Sequence, residues 1–256
     1  MGKKWKLFIL TTVLLASPVA AYSQQAGGGT IPIPTVNFNV QEAKSPRQVA
    51  LSLQILFLIT IITLAPTLLI VLTSFVRVYI VLSFVSRGLA TQNIPPNQVV
   101  VALALFLSLF IMFPTFSKAY DDGVKPYLDG KVTLNQGYDK AIEPIRDFMF
   151  KQTADRYIYR FIKLAKVERP KTRADVPTYV LIPAFILNEL TISFYMGMII
   201  LIPFTVIDVV VASVLMSVGM MMLPPVMISF PLKILLFFLV DGWDLLVEKL
   251  VLSFHM

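Results

Sequence analysis

The chain has 256 residues and a mass of 28.7 kDa; 57% of the residues are hydrophobic, 14% are charged, and the mean hydropathy is +0.77. A soluble chain carries about 25% charged residues, so this composition is that of an integral membrane protein. The absence of cysteine and a single histidine, His255, exclude disulfides, thiolate nucleophiles and thiolate or imidazole metal cages. The net charge of +7 does not point to nucleic acid, because 13 of the 22 basic residues lie between Lys118 and Arg173, interleaved with acids. That pattern reads as membrane-side charge.

Residues 1–23 open with Lys3, Lys4 and Lys6, pass through the apolar run Leu7 to Ala16, and end in small residues. This is the pattern of a signal peptide cleaved after Ala21 or Ser23. As a first span the run is too short for roughly 30 Å of hydrocarbon, and Pro18 interrupts it. Residues 24–44, with Gly27 to Gly29, Pro32 and Pro34, read as a flexible leader on the extracytoplasmic side.

Residues 45–117 are expected to form a first helical hairpin. Ser45-Pro-Arg-Gln48 is a helix start with proline at the first helical position. The 29 uncharged residues between Arg47 and Arg77 amount to about 43 Å of helix, more than a bilayer core needs. The first helix is therefore expected to tilt, protrude or kink, with Pro66 as the kink, and to run on to Gly88 as a C-terminal cap. Asn93-Ile-Pro-Pro96 forces a turn, and the 30 uncharged residues between Arg87 and Lys118 make the return helix. Arg77 and Arg87, with no acid nearby, mark the hairpin tip as cytoplasmic.

Residues 118–182 form the polar domain, expected outside the cytoplasm: 118–189 hold 13 basic and 10 acidic residues, 23 of the chain's 37 charges. Thr133-Leu-Asn-Gln136 is a capping box, followed by Ile142, Ile145 and Met149 at helical spacing. A second helix puts Ile158, Phe161, Ile162 and Ala165 on one face and Arg156, Arg160 and Lys163 on the other. The basic face fits solvent, lipid head groups or a partner alike. Pro170 and Pro177 break the pattern.

Residues 183–256 are expected to form a second hairpin. Apolar character runs from Pro183 to Val218 around Glu189, Pro203 and Asp208, about 54 Å if helical. Gly219-Met-Met-Met-Leu-Pro-Pro225 ends that helix, and Pro231 is expected to open the last one, through Lys233, Asp241 and Asp244 to the C-terminus. Both hairpins place a glycine (Gly88, Gly219) a few residues before a Pro-Pro pair (Pro95-Pro96, Pro224-Pro225), a weak internal repeat. An even number of spans returns the C-terminus to the side of the polar domain.

No P-loop, dinucleotide fingerprint, zinc-protease or serine-hydrolase pattern occurs, so neither an enzyme nor a cofactor is expected. Glu189, Asp208, Lys233 and Asp241 stand inside apolar segments, where ionisable groups are costly and suggest function. They form a proton or ion relay, or they pair across helices, Asp208 with Arg77 or Lys233 for instance, or face a wet lumen. Met216, Met220, Met221, Met222 and Met227 put five of eleven methionines within twelve residues. Such a cluster fills a core where helices splay, or forms a deformable hydrophobic plug.

The blocks Thr73-Ser-Phe-Val-Arg-Val-Tyr79, Pro95-Pro-Asn-Gln-Val99, Ile182 to Leu190, Val206 to Met216, Gly219 to Pro225 and Leu239-Val-Asp-Gly-Trp243 resemble the FliP family of flagellar protein export gates, whose relatives (the SctR type) serve type III secretion injectisomes. The resemblance runs from Ser45 to about Phe254, and the signal peptide and leader favour the flagellar branch. A departure is Leu190-Thr-Ile-Ser-Phe194, where many flagellar members carry a lysine shortly after Glu-Leu. The resemblance implies an all-α membrane protein of several copies, a pentamer, assembled with FliQ and FliR among the other export membrane proteins. Such an assembly is a closed entrance for unfolded flagellar substrates, set in the inner membrane at the flagellar basal body. Membrane lipid is a further partner, yet the resemblance implies an assembly raised out of the bilayer towards the periplasm, so that apolar helices bury against other subunits instead of lipid, and it places Met220, Met221 and Met222 on a gasket at the narrowest constriction. The rival readings are a secondary transporter using Asp208 and Glu189 and a scaffold that only templates assembly.

Overall fold

The computed structural model describes residues 46–89, 95–168, 170–220 and 222–254; the expected signal peptide with Ala21 and Ser23, the leader and Met221 lie outside the described residues. The chain divides into Met1–Leu51, of which only the opening turns of the first helix are described, and Ser52–Met256. Among the described residues there is helix and no strand. Among the described residues two helices are long and apolar enough to cross a membrane, Asn97–Leu128 and Thr178–Ser217, with a bent third candidate over Pro225–Leu252.

The first helical stretch is two helices, α1 (Pro46–Val71) and α2 (Phe75–Gly88), and the break falls at Leu72–Ser74 instead of at Pro66. Side chains compete with the helix there: the Thr73 hydroxyl donates to the Ile70 carbonyl at 2.9 Å and accepts the Phe75 N–H at 3.3 Å, while Ser74 Oγ turns to Ser108 Oγ at 3.0 Å. Gly88 is not a left-handed cap either. It ends α2 in ordinary helical geometry, and its missing Cβ leaves room for Phe204 and Leu201, whose side chains would lie 2.7 and 2.9 Å from one.

α3 (Asn97–Ala119) follows the cap Pro96 and runs antiparallel to α2: Ser74 meets Ser108 at one end, and Leu82 shares an apolar groove with Val100 and Leu103 at the other. The backbone continues past Ser117 through a π-helical turn, Tyr120–Val124, into the short α4 (Lys125–Leu128). Pro126 has no N–H to offer the Asp122 carbonyl, and a widened turn is one way a helix absorbs that loss. In that turn Gly123 presses on α5 (Leu134–Gln152): a Cβ would sit 2.5 Å from the Ala141 nitrogen and 2.6 Å from the Gly137 carbonyl oxygen. α5 starts at the capping box, with Gln136 N–H to Thr133 Oγ1 at 3.5 Å and Thr133 N–H to Gln136 Oε1 at 3.1 Å.

α5 buries Phe148 and Met149, and α6 (Asp155–Leu164) buries Tyr157, Ile158 and Ile162. Ala165, expected on that face, lies past the end of α6 and is exposed; Tyr157 takes its place in the core. In the loop that follows, the Thr172 hydroxyl and N–H both reach Asp175 Oδ2 at 2.9 Å and hold its carboxyl below the usual aspartate value. Arg146 ties α5 to the next helix, donating to the Val176 carbonyl at 2.7 Å and to Thr178 Oγ1.

α7 (Thr178–Ser217) is 40 residues long, about 60 Å, and holds Pro183 and Pro203 in its interior. It starts one turn earlier than its apolar character suggests, because Pro177 serves as the cap. At its far end Gly219 adopts φ +80°, with Gly219 N–H to the Met216 carbonyl (3.1 Å) and Met220 N–H to the Leu215 carbonyl (3.0 Å), a Schellman closure.

The last helix begins at Pro225, not at Pro231, and does not run through. Pro224 caps α8 (Pro225–Leu239), and proline costs nothing at a first helical position whose N–H has no partner anyway. After Val240 the chain turns at Asp241, left-handed at φ +47°, and α9 (Gly242–Leu252) leaves at 63° to α8. Gly242 is required there, since a Cβ would lie 2.4 Å from the Phe237 ring.

Candidate functional site

α2 packs against both α3 and α7, and α7 also carries α5, α6 and α8. Val78, Val81, Leu82 and Val85 give α2 one buried apolar stripe at helical spacing, and Arg77, on the turn before them, is 1% exposed. A guanidinium so placed must be fully paired. Its Nε donates to Glu189 Oε2 at 2.8 Å and its Nη2 to Glu189 Oε1, a bidentate fork. Nη1 reaches the Ser253 carbonyl at 2.8 Å and its hydroxyl at 3.2 Å, Nη2 reaches Gln152 Oε1 at 3.4 Å, and the guanidinium lies 4.0 Å from the Phe254 ring centroid.

Around this pair Asn188 Nδ2 donates to the Gln152 carbonyl at 2.7 Å and Asn188 Oδ1 accepts the Ala154 N–H at 3.2 Å. One buried node thus ties α2, the end of α5, the start of α6, α7 and the chain's C-terminal end together, so Arg77, expected with no acid nearby at a cytoplasmic hairpin tip, is instead paired with an acid beside the polar segment, and of the two arginines only Arg87 stays exposed. Among the described residues no buried side-chain nitrogen or oxygen lacks a partner.

A second pair sits 19 residues further along α7. Lys233 Nζ donates to Asp208 Oδ2 at 2.6 Å, and the Ser229 hydroxyl, one turn before Lys233 on α8, donates to Asp208 Oδ1 at 2.6 Å. The lysine is buried, with 2% of its side chain exposed, while the aspartate keeps 36%. Of the two partners the sequence offered Asp208, Lys233 takes it and Arg77 goes to Glu189. Asp241 is exposed at the α8–α9 elbow and makes no ion pair among the described residues.

The methionines stand at the other end of α7. Met220 is 46% and Met222 100% exposed, on a turn bounded by Gly219 and Pro224, and Met216 and Met227 on the flanking helices are exposed too. Gly219 has nothing within 4 Å of a notional Cβ, so the tip is open on the side of its own chain. The site partners that sequence patterning missed are Gln152, Asn188, Ser253 and Phe254 around Arg77, and Ser229 beside Asp208. Only Ser229 had a local signal, its i, i+4 spacing to Lys233.

The sequence profile of the FliP family matches residues 58–250. The Flagellar biosynthetic protein FliP of Treponema pallidum is 51% identical over 224 residues, 87% of this chain and 83% of that protein. The protein of the same name from Bacillus subtilis is 50% identical over 216 residues, 84% of this chain and 98% of that one. That of Borreliella burgdorferi is 45% identical over 257 aligned positions, 99% of this chain and all of that protein.

Proposed function

The chain belongs to the FliP family, and from that premise we propose that it is a core subunit of the flagellar protein export gate. It works in several copies, as a pentamer, with FliQ and FliR and the other membrane proteins of the export apparatus, forming the closed entrance for unfolded flagellar proteins. It resides in the bacterial inner membrane at the flagellar basal body, as two helical hairpins with Pro-Pro turns joined by the polar domain. That domain and the C-terminus face the periplasm; their shared level at the Arg77 node supports placing them on one side.

The observation that carries the reading is the methionine turn. A soft, repackable cluster with Met222 wholly uncovered by its own chain suits a seal that neighbouring copies close and a passing polypeptide deforms. Replacing Met220, Met221 and Met222 together by glycine is expected to raise the small-ion conductance of the assembled complex in a planar bilayer; unchanged conductance overturns the gasket. Against a secondary transporter stands the pairing of both acids, Glu189 with Arg77 and Asp208 with Lys233 and Ser229. Substrate-coupled proton uptake that disappears in Asp208→Asn would reinstate the transporter.

A further inference from the structure

The polar segment does not spread its charge evenly. From Lys118 to Gln152 it carries six basic and six acidic residues, whereas from Thr153 to Asp175 it carries seven basic and three acidic, a local net charge of +4. On α6 the inner face holds Tyr157, Ile158 and Ile162, and the outer face presents Arg156, Arg160 and Lys163, all exposed. Arg156 and Arg160 lean over the Tyr157 ring, at 4.8 and 5.8 Å from its centroid. None of the three cations forms an ion pair among the described residues, and the acid that opens the helix, Asp155, is turned to Arg173 at 4.0 Å.

α6 lies alongside α7. The Ala154 N–H bonds Asn188 Oδ1 and the Tyr157 hydroxyl donates to Thr191 Oγ1, an offset of 34 residues in both cases. Arg156, Arg160 and Lys163 therefore stand level with Leu190, Phe194 and Gly197, beside the exposed rings of Phe194 and Tyr195. Arginines next to uncovered aromatic rings are the composition of a protein contact. A protein neighbour is also what the 40 residues of α7 call for, since about 60 Å of helix is twice the thickness of a hydrocarbon core.

A matching surface is present on the same chain. α5 carries Asp139, Glu143 and Asp147, all exposed and four residues apart. Glu143 and Asp147 stand between two clefts and line both, one of about 460 Å³ shared with α3 and one of about 590 Å³ beside residues 173–178. Lys140 and Lys151 border the row, but none of its acids forms an ion pair among the described residues. Arg146 is engaged by the Val176 carbonyl and the Thr178 hydroxyl. The acids span about 12 Å along α5 and the cations of α6 about 10 Å, so three can meet three, with room in the clefts for the long basic stems.

We infer that the basic row of α6 on one copy of the chain docks on the acidic row of α5 on the next copy. The two rows are different surfaces, so the contact is heterologous and repeats from copy to copy, as a ring requires. Exposed ion pairs add little affinity each, but like charges brought face to face are penalised. The rows therefore set which faces meet, while uncovered apolar surface such as that of α7 supplies the adhesion. The inference rests on the reading that several copies of the chain assemble, and names the surface through which they do so.

Because the chain has no native cysteine, the contact can be trapped between full-length copies carrying two different affinity tags, co-produced and extracted in mild detergent. Glu143→Cys in one and Arg160→Cys in the other are expected to give a cross-tag dimer with a short bis-maleimide, whereas Glu143→Cys in both copies, or Arg160→Cys in both, should not. Adding Arg156→Glu and Lys163→Glu to the Arg160→Cys copy should lower the yield about ten-fold or more, and adding Asp139→Lys and Asp147→Lys to the Glu143→Cys copy should then restore it. That recovery also shows that the reversed chains still fold. Tags that co-purify without the mixed cross-link overturn the inference and leave the gate reading standing. A cross-link indifferent to the charge reversals overturns it as well, because the rows would then be neighbours that charge does not select. A yield lowered by the α6 reversal and not recovered by the α5 reversal overturns it in favour of an acidic partner other than a second copy. Tags that never co-purify in the parent sink the inference and the gate reading together.

Discussion

Glu189→Gln isolates the charge in the Arg77 node while keeping the side chain's shape. The amide oxygen can still accept one Arg77 N–H, but its NH2 group would face the other, so one of the two forked bonds is lost and the remaining one runs from a cation to a neutral acceptor instead of to a carboxylate. Arg77 keeps the Ser253 carbonyl, the Ser253 hydroxyl and Gln152, all neutral acceptors, in a place where it is 1% exposed. Removing one partner of a buried ion pair costs about 3–5 kcal/mol, and the remaining acceptors put this case near the lower end. About 3 kcal/mol is more than a hundred-fold in the folding equilibrium. Reversible unfolding in mixed micelles, followed by circular dichroism, reads it directly. Arg77→Met with Glu189→Leu removes both charges, and although it strands Gln152 and the Ser253 carbonyl it should cost less than the sum of the two single changes. A Glu189→Gln variant within about 1 kcal/mol of the parent, or strict additivity in the double variant, would refute the claim that the node is held by charge in a dry site.

Lys233→Met should be milder, about 1–2 kcal/mol in the same unfolding assay, because the Asp208 it abandons is about a third exposed and keeps the Ser229 hydroxyl. Gly123→Ala places a methyl 2.5–2.6 Å from backbone atoms of α5, which cannot rotate away, so α5 must move off the π-helical turn. A loss of about 2–3 kcal/mol, or faster amide exchange over Leu134–Gln152, is expected; wild-type stability and exchange would mean the two elements are not in contact.

How far the sequence could be read depended on the range of the interaction. Features set within a few residues were legible: the capping box at Thr133 and Gln136 and the stop at Gly219 are local chemistry. The helix breaks were not, because prolines mark where a helix loses a bond and not where it ends. Pro183, Pro203 and Pro231 all lie inside helices, while the chain breaks at Leu72–Ser74, where Ser74 finds Ser108 across 34 residues, and at Asp241, where Phe237 leaves room only for a glycine at 242. The pairing of Arg77 with Glu189, 112 residues away, was out of reach of any pattern. Sequence reasoning could say only that buried charges need partners.

The two ion pairs and the methionine turn divide α7 into zones of different stiffness. Near Glu189 five parts of the chain meet around one buried cation, and moving α2, α7 or the C-terminal end breaks at least two charge-assisted bonds together. Near Asp208 only α7 and α8 meet, through three polar groups, one of them partly wet. At Met220 and Met222 the chain's own packing has run out. A displacement that costs little at the tip therefore becomes expensive within about 15 Å along α7, at Asp208, and prohibitive at Glu189. On the export-gate reading this is the order a seal requires: the turn can yield to a polypeptide while the Arg77 node holds the helices in register.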